Sequence, residues 1–133
     1  MIHRVHHINF IVRDLQQAIP VWERILDVEV TSREHMEKRG VDIARFDLGA
    51  TWIVLVQPTR SGTEPAEFLD KHGEGFYLLS LETDSLSEEI RRIGEKSFDG
   101  AERDGLDDWR VRDLDLSKLY GVRIQLCETG RLD

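Results

Sequence analysis

Apolar residues alternate along Val5–Val12 and again along Gly75–Thr83, and each run leads into a segment whose apolar positions fall at helical spacing. Alternation with period two marks a half-buried strand, while apolar residues at i, i+4 and i+7 mark the core stripe of an amphipathic helix. With a constant shift of 71 positions, Ile8 falls on Leu79, Phe10 on Leu81, Leu15 on Leu86, Ile19 on Ile90 and Trp22 on Ile93. The same shift carries Ala50–Val56 onto Gly121–Cys127, so that Ile53 meets Ile124 and Leu55 meets Leu126. One offset held across two strands and a helix predicts a duplicated β-α-β-β-β unit.

Between these landmarks Val28–Arg33 and Val41–Leu48 read as strands, with Arg39-Gly40 as the turn that joins them. Pro65–Lys71 reads as a short helix in the connector, and His72-Gly-Glu-Gly75 as its exit. In the second half Lys96–Glu102 and Trp109–Leu114 are the remaining strands. Asp14 and Asp84 sit where N-caps would open the two repeated helices. Pro20 interrupts the first helical pattern and predicts a late start or a kink.

A chain of 133 residues fits one domain with a real core. The expected boundaries are a first module over about 1–60, a connector over 61–73 and a second module over about 74–129. The net charge of -8 argues against nucleic acid or an anionic membrane surface as a partner, since both demand a basic face. Cys127 is the single cysteine, which excludes an intramolecular disulfide and any cysteine-based zinc cluster. The opening residues carry no apolar signal segment and no run is long enough to span a bilayer, so a cytoplasmic protein is expected.

Val5-His6-His7-Ile8-Asn9-Phe10-Ile11-Val12-Arg13-Asp14-Leu15, followed after a helix by Leu26-Asp27-Val28-Glu29-Val30, resembles the opening of glyoxalase-like vicinal oxygen chelate proteins. The connector from Glu64 to Tyr77 is similar to that of the methylmalonyl-CoA epimerase branch, and Gly121–Glu128 to the last strand of the family. The resemblance covers nearly the whole chain. It implies an α+β fold of two tandem βαβββ modules whose eight strands wrap a U-shaped cleft, a divalent metal in that cleft, and a homodimer. The four metal-ligand positions carried over are His7, Val54, Leu78 and Gln125, related in pairs by the same shift of 71. Only His7 keeps a usual ligand type, and Gln125 offers a neutral amide oxygen. The resemblance also implies a proton-transferring glutamate just before Gly40, where Lys38 stands with Glu37 one step away.

Catalytic metal sites use about three protein ligands plus an open position, so two survivors argue that no metal or other cofactor is bound. If the resemblance holds, strand alternation puts His7, Asn9, Trp52, Val54, Leu78, Ser80, Arg123 and Gln125 on the substrate-binding face. His7 is the candidate acid or base; its alternative is a hydrogen-bonded histidine in a filled cleft. Trp52 is either packing or a stacking platform, and Arg123 either pairs with a carboxylate or binds an anion. His3 and His6 do not join His7, because neighbouring strand residues point to opposite faces. Asp104, Asp107, Asp108, Asp113 and Asp115 lack calcium-loop spacing and read as a solvated loop.

These readings converge on a small-molecule protein, a metal-independent isomerase or lyase acting on a carbonyl or acyl-CoA-type substrate. A sequestering, bleomycin-resistance-like binding protein is the competing class. A third reading keeps the metal and the activity of methylmalonyl-CoA epimerase or of a lactoylglutathione lyase-like enzyme.

Overall fold

The computed structural model describes residues 1–130. In chain order they form β1 (Ile2–Ile11), α1 (Leu15–Leu26), β2 (Ser32–Met36), β3 (Val41–Asp47), β4 (Trp52–Pro58), α2 (Glu64–His72), β5 (Gly75–Thr83), α3 (Leu86–Ile93), β6 (Phe98–Asp104), β7 (Arg110–Leu114) and β8 (Ile124–Glu128). Short 3₁₀ turns at Glu95–Ser97 and Leu116–Lys118 flank β6 and β7. The class is α+β, and the βαβββ pattern occurs twice.

The chain forms two compact units, one of His7–Tyr77 and one of Met1–His6 with the chain from Leu78 onward. β1 therefore divides between them. Within the first, the hydrogen-bonded order is β2-β3-β4-β1; within the second it is β1-β5-β8-β7-β6. β1 runs parallel to β4 with Ile8 opposite Ile53 and Phe10 opposite Leu55. β5 runs parallel to β8 with Leu79 opposite Ile124 and Leu81 opposite Leu126. The two registers are related by the shift of 71 read from the sequence, so the duplication extends to the pairing itself.

In the His7–Tyr77 unit the stripe of α1 packs Leu15 and Ile19 onto Ala44, Phe46, Ile53 and Leu55, with Ile8, Phe10 and Trp22 against them. In the other unit Leu86, Phe98 and Leu126 form the core, joined by Leu81, Ile90 and Ile93. Both cores lie on the helix side of their strands. Alternation then assigns the odd-numbered residues of this stretch of β1 and the even-numbered residues of β4 to the opposite face.

Several local expectations are corrected. The first helix starts at Leu15 despite Pro20, because the Asp14 side chain accepts from the Gln17 amide at 3.2 Å and holds the first turn. Pro20 is exposed and removes only the bond it would have donated within the helix. The strand expected from Val28 begins at Ser32. Val28 and Val30 pack against the core instead, and the Val30 amide donates to Glu23 Oε2 at 2.9 Å rather than to a strand. Ser85, not Asp84, caps α3, its hydroxyl accepting from the Glu88 amide. The acidic stretch is no single loop: Asp104 lies in β6, Asp113 in β7, and Asp115 caps a 3₁₀ turn. Gly40 closes the β2–β3 turn at φ +66°, where a Cβ would also come within 2.9 Å of the Arg60 side chain.

Leu55, with no exposed surface, and Ile25, exposed by 66%, give the contrast that tests this core. Leu55→Ala is expected to cost about 2–5 kcal/mol in urea unfolding and Ile25→Ala under about 0.5 kcal/mol.

Candidate functional site

The parallel register sets out the non-core face of the His7–Tyr77 unit in rows. His7 stands beside Trp52, which stands beside Asp47; Asn9 stands beside Val54, then Arg45, then Ser32. A third row runs Ile11, Val56, Ile43 and Glu34. The structure therefore brings together His7, Asn9, Trp52 and Val54, four of the residues expected from the sequence. His7 is 4% exposed and Val54 3% exposed, while Asn9 and Trp52 beside them are half-buried. The Asn9 Oδ1 atom is buried and has no hydrogen-bond partner among the described residues.

Arg45 belongs to the same face and sequence reasoning missed it. It is 5% exposed, donates through Nε to Ser32 Oγ at 2.9 Å, and lies with its guanidinium carbon 4.7 Å from the centre of the Trp52 ring. Glu34 stands 3.6 Å from its terminal nitrogen. The signal in the sequence was its place in Ile43-Ala44-Arg45-Phe46, where the strand alternates Arg45 against the buried pair Ala44 and Phe46. The guanidinium holds the tryptophan plane by a cation–π contact.

The second unit holds Leu78, Ser80, Arg123 and Gln125. Ser80 is opposite Gln125, as Asn9 is opposite Val54 one repeat earlier. The Ser80 hydroxyl donates to Gln125 Oε1 at 2.9 Å, and Gln125 Nε2 donates to Asp113 Oδ1 at 3.2 Å. Arg103 closes the network with bonds of 2.9 and 3.4 Å to the two oxygens of Asp113. Asp113 is opposite Gln125 just as Arg45 is opposite Val54. Equivalent positions thus carry a cation in one repeat and an anion in the other. Leu78 is buried at 4%, and the Arg123 carbonyl accepts from the Leu79 amide.

His3 and His6 gather around Glu82, not His7. Arg4 donates to Glu82 at 2.8 Å, and the two histidine Nε2 atoms stand 3.5 and 3.7 Å from its oxygens. Burial works against the Glu82 charge, yet the Arg4 bond and the charges of Arg4, His6 and His3 hold its carboxyl below the usual range. Burial first, then the Glu82 and Asp108 charges, push the Cys127 thiol up to about 12, so it is no nucleophile at neutral pH.

Residues 6–112 match the family model described as the glyoxalase/bleomycin resistance protein/dioxygenase superfamily. The chain belongs to this superfamily. Among glyoxalase-superfamily structures, methylmalonyl-CoA epimerase from Mycobacterium tuberculosis superposes with a TM-score of 0.88 at 25% identity, covering 98% of this chain and 90% of that one. A hypothetical protein from Bacillus halodurans superposes with the same TM-score at 23% identity, covering 98% and 96%. In sequence, protein YqjC of Bacillus subtilis is 24% identical over 95% of this chain and 92% of its own. The mitochondrial methylmalonyl-CoA epimerase of Bos taurus is 28% identical over 71% of this chain and 55% of its own. The chain thus spans about half the length of that curated epimerase.

Glyoxalase-superfamily proteins usually depend on a divalent metal, and the donor set here does not fit one. Val54 and Leu78 are buried hydrocarbons without lone pairs. Both ends of the Gln125 amide are engaged by protein groups. Among the described residues no three His, Cys, Asp or Glu side chains converge as ligands. Glu37, the alternative carboxylate, is in the exposed β2–β3 turn with Oε2 2.6 Å from His35 Nε2.

A groove of about 610 Å³ opens beside the start of α1, lined by Arg13, Arg33, Glu34, His35, Asp42 and Gln57 among others. Its residues come from segments far apart in the chain, which hid it from sequence reading. Gln57 Oε1 accepts from the Leu15 amide at 2.7 Å, so part of its polar lining is already used. His35 sits between two carboxylates, with Nδ1 2.6 Å from Asp42.

Glu37 first, then Asp42, raise the His35 pKa above its usual value. A raised folded pKa means that the clasp stabilises the hairpin fully below the unfolded value of about 6.5 and loses this as pH rises through the folded value. An NMR titration of His35 is expected to give a midpoint above 6.5, which Asp42→Asn lowers. In the second unit, Gln125→Leu strands Ser80 and part of Asp113, and urea unfolding is expected to register a loss of about 1–3 kcal/mol.

Proposed function

We propose that this protein binds a small carbonyl-containing or acyl-CoA-type compound against the His7–Asn9–Trp52–Val54 face and acts on it as a metal-independent isomerase or lyase. The observation that carries the reading is His7 itself: a buried imidazole in register with Trp52, on the face turned from the core. A neutral imidazole can take a proton from a carbon next to a carbonyl and, as the imidazolium so formed, return it, contributing about 10² to 10⁴ in rate. Trp52, braced by Arg45, supplies a flat apolar wall. Val54 adds a greasy floor, a mixture usual for small-molecule sites.

The epimerase relatives support an acyl-CoA-type substrate, since methylmalonyl-CoA is named for one structure that superposes with a TM-score of 0.88. Lacking two ligands at Val54 and Leu78, this chain would run such chemistry without Lewis-acid help. The expected rate is therefore low. A homodimer in the cytoplasm is the assembly and location we attach to this reading.

Sequestration without turnover is the second reading, favoured by the Ser80–Gln125–Asp113–Arg103 network, whose polar side chains are bonded to one another.

Elemental analysis after incubation with zinc, cobalt, nickel and manganese is expected to find no stoichiometric metal. Deuterium exchange at the carbon beside the carbonyl of methylmalonyl-CoA and related thioesters is expected to be slow and abolished by His7→Ala. Saturable binding with no exchange, weakened by Trp52→Ala, would select the sequestration reading. A stoichiometric metal lost in His7→Ala would overturn the metal-independent one.

A further inference from the structure

Buried polar atoms are almost always paired, because an orphan forfeits its water without replacement. Asn9 Oδ1 breaks that rule. The residue stands mid-strand in β1, between Ile8 and Phe10, which face the core, and its row neighbour is Val54, a side chain with nothing to donate. The neighbours along its own strand on that face are His7 and Ile11. Across Val54, Arg45 is engaged by Ser32 and lies over Trp52. The equivalent position one repeat later is Ser80, whose hydroxyl is spent on Gln125. The same row is thus closed on itself in one repeat and left with an open acceptor in the other.

We infer that Asn9 Oδ1 is a ligand-reading atom, and that the ligand of this face carries a hydrogen-bond donor, a hydroxyl or amide N–H, next to its carbonyl group. The inference rests on the small-molecule reading of this face. Its physical basis is asymmetry. A buried acceptor without a protein partner discriminates strongly for a ligand that supplies the donor, because a ligand without one leaves the orphan in place. A methyl group of the same size fills the space and gains nothing. Asn9 is accordingly a specificity residue rather than a proton-transfer group, and His7, two positions back on the same face, is within the span of the same small ligand.

The test pairs isosteres that differ only in the donor: hydroxyacetone against butanone, and glycolate against propionate, titrated by NMR into the full chain. The hydroxyl member is expected to bind at least tenfold more tightly, and Asn9→Leu to bring the ratio close to one. Melting temperature supplies the readout a structural role would not give. With an orphan removed, Asn9→Leu and Asn9→Val are expected to melt at the wild-type temperature or higher.

A fall of several degrees in both variants would show that Asn9 is a satisfied structural residue and would overturn the inference. Equal binding of the two members, still weakened by Trp52→Ala, would also overturn it while leaving the ligand face standing. Failure of every probe to bind, together with no thioester exchange or binding, would remove the ligand face and this inference with it.

Discussion

The parallel registers of β1 with β4 and of β5 with β8 are the constraint on which the rest depends. A slip of one residue by β1 against β4 would exchange that strand's faces, turning Ile8 and Phe10 outward and His7 and Asn9 into the helix-packed core. Burial of Leu15 and Ile19 against the first set makes that slip prohibitive. What positions the candidate site is therefore the hydrophobic pattern of the opposite face, and the functional side chains are free to vary so long as the core stripe stays.

That freedom has been used differently in the two repeats. Where one places Arg45 beside Val54, the other places Asp113 beside Gln125. The first face is left with a stacked guanidinium and an unpaired amide oxygen; the second is knitted into a chain of hydrogen bonds ending on Arg103. Repeats that share a backbone register have come to hold opposite charges and opposite degrees of polar satisfaction. The division of labour between them is one of side chains only.

The sequence made the strands, the helices and the duplication legible because all three are written in hydropathy, and a period of two or of 3.6 survives the loss of residue identity. The shift of 71 is a statement about register, and it pairs His7 with Trp52 and Asn9 with Val54 in one repeat as it pairs Ser80 with Gln125 in the other. It could not place Arg45, because three residues fewer separate the matched β3 and β7 rows and the constant shift fails there: Arg45 and Asp113 are 68 apart. Asp84 and Val28 misled for local reasons. In the first case a serine one step on supplied the cap, and in the second a glutamate from α1 took the amide that a strand neighbour would have held. No pattern in the chain announced that Asn9 Oδ1 would have no partner among the described residues, with Val54 beside it.

The Gln125 amide also bears on how this lineage can change. A glutamate there would set a second carboxylate against Asp113, now 3.2 Å from the amide nitrogen, and would turn a donor into a repelling oxygen. Arg103, already bound to both oxygens of Asp113, has little left to offer a newcomer. Placing a carboxylate ligand at this position would require Asp113 to change first or together with it, and Val54 and Leu78 would still be hydrocarbons without lone pairs. The network thus ties residue 125 to residue 113, and a change at either is felt at both.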